Sequence, residues 1–457
     1  MLKRTDYLTR TYGKPEGWTL AAYEREYGGY RVAQRVLSSM SREQVVEEAK
    51  KANIRGRGGA GFPMGVKWGF MPKTVGSSKP HYLAVNADEG EPGTHKDRTL
   101  MELNPHACIE GCIIACYAIG AHAAYIYVRD ELHLSKARLE AAIAEAKAKG
   151  YLGKSPFSKE YPVEVSVYSG AGAYICGEET SMLNSIEGRR GEPRMKPPFP
   201  ANAGLWGCPT TVNNLETIAS VPAAFGLGCE EFSKLSVLHA IGDGGVRLFG
   251  VNGHVKHGAV AELAVGVTIR ELIEEIGGGV TGGRQPLCVI PGGSSTPVIR
   301  PQEIFHCTDP KSPLKEYDGM SVYDIPFGVE TMRLSGTMLG TCCVTVIAEG
   351  TDPVWCMQNL MQFYRHESCG QCTPCREGSA WLAKICDKLL DGHATMEELN
   401  TLHDVANGIM GNTICAFGEG TAMPALAFLQ KFRPEFEAYV RGEHKRADAK
   451  LTVEPWS

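Results

Sequence analysis

The 457-residue sequence has no apolar run long enough to cross a bilayer. Its longest mainly apolar stretch, residues 113–128, falls short of the ~20 residues that a spanning helix needs. That stretch also carries His122, so a buried core helix is expected there. The opening Met-Leu-Lys-Arg-Thr-Asp has no apolar signal core. A cytosolic chain is expected, or a peripheral subunit on the cytoplasmic side of an inner membrane. A surplus of positive charge is also missing: 47 Lys and Arg face 52 Asp and Glu, a formal charge of -5. The basic face that nucleic acid requires is therefore excluded. There is no internal repeat and no low-complexity tract, which excludes a solenoid. In a reducing compartment the 16 cysteines do not form a disulfide framework, so most are small buried hydrophobes.

What the sequence does have in excess is glycine, 53 residues against an average usage of about 7%. The glycines cluster, which suggests close backbone approaches to a ligand. The length suggests two to four domains of roughly 100–200 residues each. Residues 1–40, rich in Tyr, Gly and charge, read as an extended arm. Ser41 and Gln44 form a capping-box pattern that opens a helix ending near Ile54. A strand over 81–87, a long helix from Pro105, a charged helix over 135–149 and a strand through Val163, Val165 and Val167 follow. Strands alternating with helices point to an α/β domain over 41–240 with a largely parallel sheet. Residues 188–210 carry five prolines and read as a long functional loop. Over 241–335 a hairpin turning at Asn252-Gly253, then a helix capped by Thr268 and Glu271, suggests a small β-grasp domain. Residues 345–440 read as a helical bundle and 441–457 as a tail. The fold class is thus α/β multidomain.

The strongest chemical signal is C-x2-C-x2-C at Cys369, Cys372 and Cys375. Three thiolates so closely spaced can converge on three irons of a cubane, whose fourth corner comes from elsewhere. Cys415 is a candidate, and Cys386 and Cys356 also lie nearby in sequence. Structural zinc more often uses two separated C-x2-C pairs. Cys108, Cys112 and Cys116 share one helix face among Ile, Ala and Gly, and read as an apolar stripe. The glycine segments 56–61 and 170–177 let backbone N–H groups approach a phosphate or a ring system. Neither follows the G-x-G-x-x-G pattern of a Rossmann turn. Glu178 and Glu179 open a helix, where carboxylates gain from the macrodipole; they are also candidates for a ribose or nicotinamide contact. Asn213-Asn214 reads as a helix start able to cap itself or to bind phosphate.

Six segments taken together carry a resemblance. They are Gly-Arg-Gly-Gly-Ala-Gly-Phe-Pro, Asn86-Ala87-Asp88-Glu89 with Glu91-Pro92-Gly93, Gly-Ala-Gly-Ala-Tyr-Ile-Cys-Gly-Glu-Glu-Thr, Lys196-Pro197-Pro198-Phe199-Pro200, Val212-Asn213-Asn214 and Glu-Ser-Cys-Gly-Gln-Cys-Thr-Pro-Cys-Arg. In this order, from about residue 40 to 440, the chain resembles the family of NADH-oxidising flavoproteins that serve respiratory NADH–quinone oxidoreductase, complex I. The resemblance implies an α/β FMN domain, a β-grasp domain and a C-terminal helical bundle carrying a [4Fe–4S] cluster. FMN is then expected against Gly56, Arg57, Gly58, Gly59, Ala60, Gly61 and Lys67, above Asn86, Asp88 and Glu89. Tyr174, Gly177, Glu178, Glu179, Val212, Asn213, Asn214 and Thr217 are expected to complete the site. NADH is expected to lay its adenine near Phe62, Phe70 and Phe199, with Lys196 on its polar groups. Cys415 becomes the expected fourth cluster ligand. No side chain is expected as general acid or nucleophile, and Glu89, Glu178 and Glu179 are candidates for tuning the flavin. The implied partners are a thioredoxin-like [2Fe–2S] subunit and a large iron–sulfur subunit. The alternative within this resemblance is the diaphorase subunit of an NAD-linked hydrogenase or formate dehydrogenase. Gly90, His95 and the arm depart from the pattern.

Overall fold

The computed structural model describes residues 4–72 and 79–444, so the expected tail lies outside the described residues beyond 444. The chain divides into two compact units, Met1–Glu349 and Gly350–Ser457.

The N-terminal segment is not an extended arm. It folds into α1 (Leu20–Tyr27), capped by Thr19, and α2 (Arg31–Ser39). Leu8, Leu20, Tyr23 and Tyr30 are buried in the same core as the central sheet. Apolar and tyrosine positions at helical spacing drove this outcome, and the charged residues between them face outward. α3 (Arg42–Lys51) carries the reciprocal Ser41–Gln44 capping box. After the glycine segment comes the single turn α4 (Met64–Trp68).

The central sheet follows. It comprises β1 (Tyr82–Ala87), β2 (Ala123–Val128), β3 (Glu164–Ser169) and β4 (Thr210–Asn214), all parallel, in the order β3-β2-β1-β4. Between β1 and β2 lie α5 (Lys96–Leu103) and α6 (Pro105–Ile119); α7 (His133–Ala148) leads to β3. Every residue of α6 is buried, which explains why its sequence is apolar on nearly every face, His106 and Glu110 being the exceptions. Asn104 caps it, Pro105 sits where no N–H is needed, and Gly120 ends it at φ 69°. The apolar run over 113–128 is therefore not one helix. It is the end of α6 and the whole of β2, divided by the left-handed glycine. Cys108, Cys112 and Cys116 lie in this core as the apolar stripe expected of them. After β3 come α8 (Glu179–Ile186), the single turn α9 (Pro200–Ala203) within the long loop, α10 (Leu215–Leu227) and α11 (Cys229–Ser233).

A second sheet has the order β6-β5-β8-β7, with β5 (Val246–Gly253), β6 (Ala259–Ala264), β7 (Pro286–Ile290) and β8 (Cys343–Ala348). β5 pairs antiparallel with β6 and parallel with β8. Asn252-Gly253 is not the hairpin turn: both residues continue β5, opposite Thr345 and Val346 of β8. The Thr268–Glu271 capping box opens α12 (Ile269–Glu271), which runs on into one π-turn, Leu272–Ile276, before the glycine run. α13 (Val329–Leu334) precedes β8.

The N-terminal residues cover the outer edge of β6. Thr5 N donates to the Glu262 carbonyl at 3.1 Å. The Glu262 carboxylate, 2% exposed, accepts from Tyr7 N (2.8 Å), Leu8 N (2.7 Å), Thr5 Oγ1 (2.9 Å) and Thr9 Oγ1 (3.0 Å). Further along, Asn104 Nδ2 donates to the Leu8 carbonyl and Thr11 Oγ1 to that of Leu103. Residues 5–11 thus form a strap from the second sheet to the α5–α6 corner.

The second unit is helical: α14 (Pro353–Glu367), α15 (Thr373–Leu390), α16 (Met396–Ile409), α17 (Phe417–Lys431) and α18 (Arg433–Val440). Leu382, Leu389, Leu399, Leu402, Phe428 and Phe436 fill its core at helical spacing. Among the described residues no helix is long and apolar enough to cross a membrane.

Candidate functional site

The chain moves from β1 to β2 to β3 on one side and returns to place β4 on the other side of β1. The sheet order therefore reverses between β1 and β4, and ligands of open parallel sheets bind outside the carboxyl ends of strands at such a point. Asn86 and Asn214 are register partners there. Asn86 Nδ2 donates to the Gly177 carbonyl (2.8 Å), and Asp88 N donates back to Asn86 Oδ1 (3.0 Å). Asn214 caps α10 as the sequence suggests, its Oδ1 accepting from Glu216 N (3.0 Å) and Thr217 N (3.4 Å).

The first glycine segment lies against this helix start. Arg57 N donates to Thr217 Oγ1 at 2.9 Å, and a Cβ on Gly58 would stand only 3.1 Å from the Asn214 Cβ. Gly59 and Gly61 have φ values of 112° and 66°, which side chains rarely adopt, and nothing lies within 4 Å of where the Gly59 Cβ would be. Ala60 is exposed between them. The Arg57 side chain does not face the crevice. It is buried against the second sheet, donating to the Val246 carbonyl (2.8 Å), and burial pushes its guanidinium down to about 9. The Arg57 side chain is therefore not available to a ligand in the crevice.

On the opposite side, Gly177 approaches Asp88, and Glu178 caps α8 through Thr180 N (2.7 Å) and Ser181 N (2.9 Å). Glu179 pairs with Lys67 (3.2 Å) and Lys196 (2.7 Å), and Lys196 also reaches Glu178 (3.2 Å). Burial alone would raise the Glu179 carboxyl, but Lys67 and Lys196 outweigh it and hold it below the ordinary range. Arg194 fastens the long loop that carries Lys196 and Phe199 to α8, through Asn184 (2.8 Å) and Glu187 (2.8 Å). Phe62, Phe70 and Phe199 are 46%, 57% and 55% exposed, and the first two rings stand 5.9 Å apart. Phe62 and Phe70 form an exposed aromatic pair whose faces are open to stacking.

These features fit a phosphorylated planar ligand. Exposed rings offer stacking, glycine backbone offers close approach, and two lysines offer countercharge. Val212 is buried inside β4, and Asn213 turns away to accept from Trp68 Nε1 at 2.9 Å, so both support the crevice from behind.

Alongside Glu89, which was expected at the site, the fold brings there groups to which the sequence assigns no role. Glu91 accepts from Ser295 N (2.8 Å) and from the Tyr174 hydroxyl, linking the crevice to the second sheet. Glu89 accepts from Asp97 N (2.7 Å) and Arg98 N (2.8 Å) at the start of α5; burial, with Asp97 adding, pushes its carboxyl up to about 7. Lys96, Asp97 and Glu216 form a buried ion triad directly behind Asn214.

In the second unit, Cys369 and Cys372 lie in the α14–α15 loop and Cys375 in the first turn of α15. Gly370, at φ 78°, bends the loop, and Arg376 Nη1 ties its carbonyl down at 2.8 Å. Burial pushes the Cys375 thiol up to about 11, against the hydrogen bond from Ser368 (3.2 Å), with Cys372 and Cys369 close enough to add to it. Cys415 precedes α17 and is partly exposed. Cys386 lies eleven residues beyond Cys375 in the same helix, about 16 Å at 1.5 Å per residue. Cys356 is as far back along α14 from its loop end. Among the described residues no three His, Cys, Asp or Glu side chains gather as ligands of one ion. A cubane sets a different demand, because each thiolate takes its own iron.

The family model for the Nuo51 FMN-binding domain matches residues 49–223, and that for the NADH-ubiquinone oxidoreductase-F iron-sulfur binding region matches 355–439. Between them, 247–322 match the SLBB domain. The F subunit of NADH-quinone oxidoreductase from Mycobacterium bovis is 44% identical over 442 residues, covering 96% of this chain and 94% of its own length. One of two such F subunits from Rhizobium meliloti is 43% identical, with 96% and 95% covered. Among solved structures, an NAD+-reducing [NiFe]-hydrogenase in the H2-reduced state matches with a TM-score of 0.78 at 30% identity, over 94% of this chain and 67% of that one. With an α/β FMN-binding domain, an iron–sulfur binding region and near full-length relatives at this identity, the chain belongs to the family of NADH-quinone oxidoreductase F subunits.

Proposed function

We propose that the chain is the electron-input subunit of an NADH–quinone oxidoreductase, taking hydride from NADH at the β1/β4 crevice. The observation that carries this reading is the meeting of the glycine segment, Asn86, Asn214 and Thr217 at the point where the sheet order reverses. FMN, when bound, exchanges the electron pair of a hydride for the single electrons that a [4Fe–4S] cluster accepts. The glycine backbone over 56–61 admits the flavin closely, with Asn86, Asp88, Glu89, Tyr174 and Gly177 around it. Phe62, Phe70 and Phe199 offer the nucleotide stacking surfaces, and Lys67 and Lys196 offer its phosphates countercharge. Glu179 disfavours a 2′-phosphate and so selects NADH over NADPH. Cys369, Cys372, Cys375 and Cys415 hold the cluster, since Cys386 and Cys356 lie too far along their helices. The second sheet is read as a β-grasp domain and the last five helices as the cluster-bearing bundle.

The expected neighbours are a thioredoxin-like [2Fe–2S] subunit and a larger iron–sulfur subunit, on the cytoplasmic side of the inner membrane. The diaphorase subunit of an NAD-linked hydrogenase is the second reading, favoured by the solved hydrogenase, whose identity is lower than that of the oxidoreductase relatives. Co-purification decides between them, because hydrogenase subunits in the purified assembly replace this reading by the second. An anaerobic absorption spectrum before and after NADH tests the site itself. The expected result is a yellow-brown protein bleached by NADH but not NADPH, with Glu179→Gln admitting NADPH at least tenfold better. A colourless, zinc-containing protein that NADH leaves unchanged would refute the reading.

A further inference from the structure

We propose that Lys96 is a positioning residue for this reaction: its buried ammonium holds Asn214 in place and is the countercharge that sets the electrostatic field behind the crevice. The inference rests on the flavin reading above.

Lys96 is a lysine with 1% of its side chain exposed. Its Nζ donates to Asp97 Oδ1 at 2.9 Å and pairs with Glu216 Oε2 at 2.8 Å, and those side chains are 6% and 1% exposed. Burial opposes its charge, but Asp97 and Glu216 outweigh that cost and keep it protonated. Each carboxylate spends its other oxygen on a different element. Asp97 Oδ2 accepts from Asn214 Nδ2 (2.8 Å), which fixes the amide whose Oδ1 caps α10. Glu216 Oε1 accepts from Leu248 N of β5 (2.9 Å). One ammonium therefore pins α5, α10 and the second sheet together, directly behind the residue that Gly58 touches.

The charge count makes the triad more than a prop. Asp97, Glu216 and Glu89 all draw on Lys96. The other cations of the same buried region are Arg57 and Arg247, and Arg247 is already committed to Asp243 at 2.9 Å. If Lys96 loses its charge while Asp97 and Glu216 stay ionised, one positive charge is gone and nothing replaces it. The field at the crevice then turns more negative, and electrons placed on a ring bound there are disfavoured. Neutralising Glu216 does the opposite. A purely structural role predicts no such sign reversal.

The test is a spectroelectrochemical titration of the flavin in the purified, FMN-loaded full chain. Lys96→Met is expected to lower the midpoint potential and Glu216→Gln to raise it, with Asp97→Asn moving it upward as well. If Lys96→Met holds no flavin, the two carboxylate variants decide, and both must shift upward. Where Lys96→Met keeps flavin, a shift in the same direction as the carboxylate variants overturns the proposal, and so does an absent or downward shift in Glu216→Gln and Asp97→Asn. So does loss of flavin from all three, which reduces the triad to a scaffold. A wild-type chain that binds no flavin is a separate result, and it removes the NADH reading itself.

Discussion

Glu110 is a carboxyl with no exposed surface, set in the apolar helix α6. It accepts from the Tyr23 hydroxyl and from Ala33 N at 2.9 Å, and so holds both N-terminal helices onto the core. Burial outweighs these bonds and pushes the carboxyl up to about 7 from an ordinary 4.5. The folded chain therefore binds a proton that the unfolded chain has released between those two pH values. Stability falls as pH rises through this window, by an upper bound of about 3 kcal/mol from this group. Denaturant melts of wild type and Glu110→Gln between pH 4.5 and 7 are expected to differ in slope, the variant being flatter. Equal slopes would show that Glu110 titrates normally. The residue was not singled out in the sequence, because one Glu in an apolar helix gives no sign of which remote hydroxyl and amide it meets.

At the level of elements, the legible features were those made by neighbours in sequence. The capping boxes at Ser41–Gln44 and Thr268–Glu271 and the Asn214 cap each lie within a few residues of their partners. The ion triad was hidden because Lys96 and Glu216 stand 120 positions apart and meet only when α5 and α10 pack. Asn252-Gly253 reads as a turn in isolation, yet a parallel neighbour, β8, captured it as strand. For the cluster, the spacing of Cys369, Cys372 and Cys375 carried the signal, and helix geometry narrows the fourth ligand. Cys415→Ser is expected to cost most of the NADH-reducible [4Fe–4S] signal in electron paramagnetic resonance, whereas Cys386→Ser leaves it in place. A full signal in Cys415→Ser would move the ligand elsewhere.

For the whole molecule, the alternation of strands and helices foretold the parallel sheet, whereas the N-terminal strap came only from the three-dimensional arrangement. Glu262→Ala removes the acceptor for four donors at once. Hydrogen exchange at the Tyr7 and Leu8 amides is expected to accelerate at least a hundredfold, about 3 kcal/mol of local opening. Unchanged protection would mean that the strap is held by the Asn104 and Leu103 contacts instead. The strap also has a consequence in time. Thr5 and Glu262 lie 257 positions apart, so on a ribosome adding 5–20 residues per second the strap waits roughly 13–50 s before its anchor is even made. During that interval Leu8 and the rest of residues 5–11 already exist without the β6 edge on which they finally lie. Chaperones that scan nascent chains for such segments are expected to find this one early and to release it once β6 has formed.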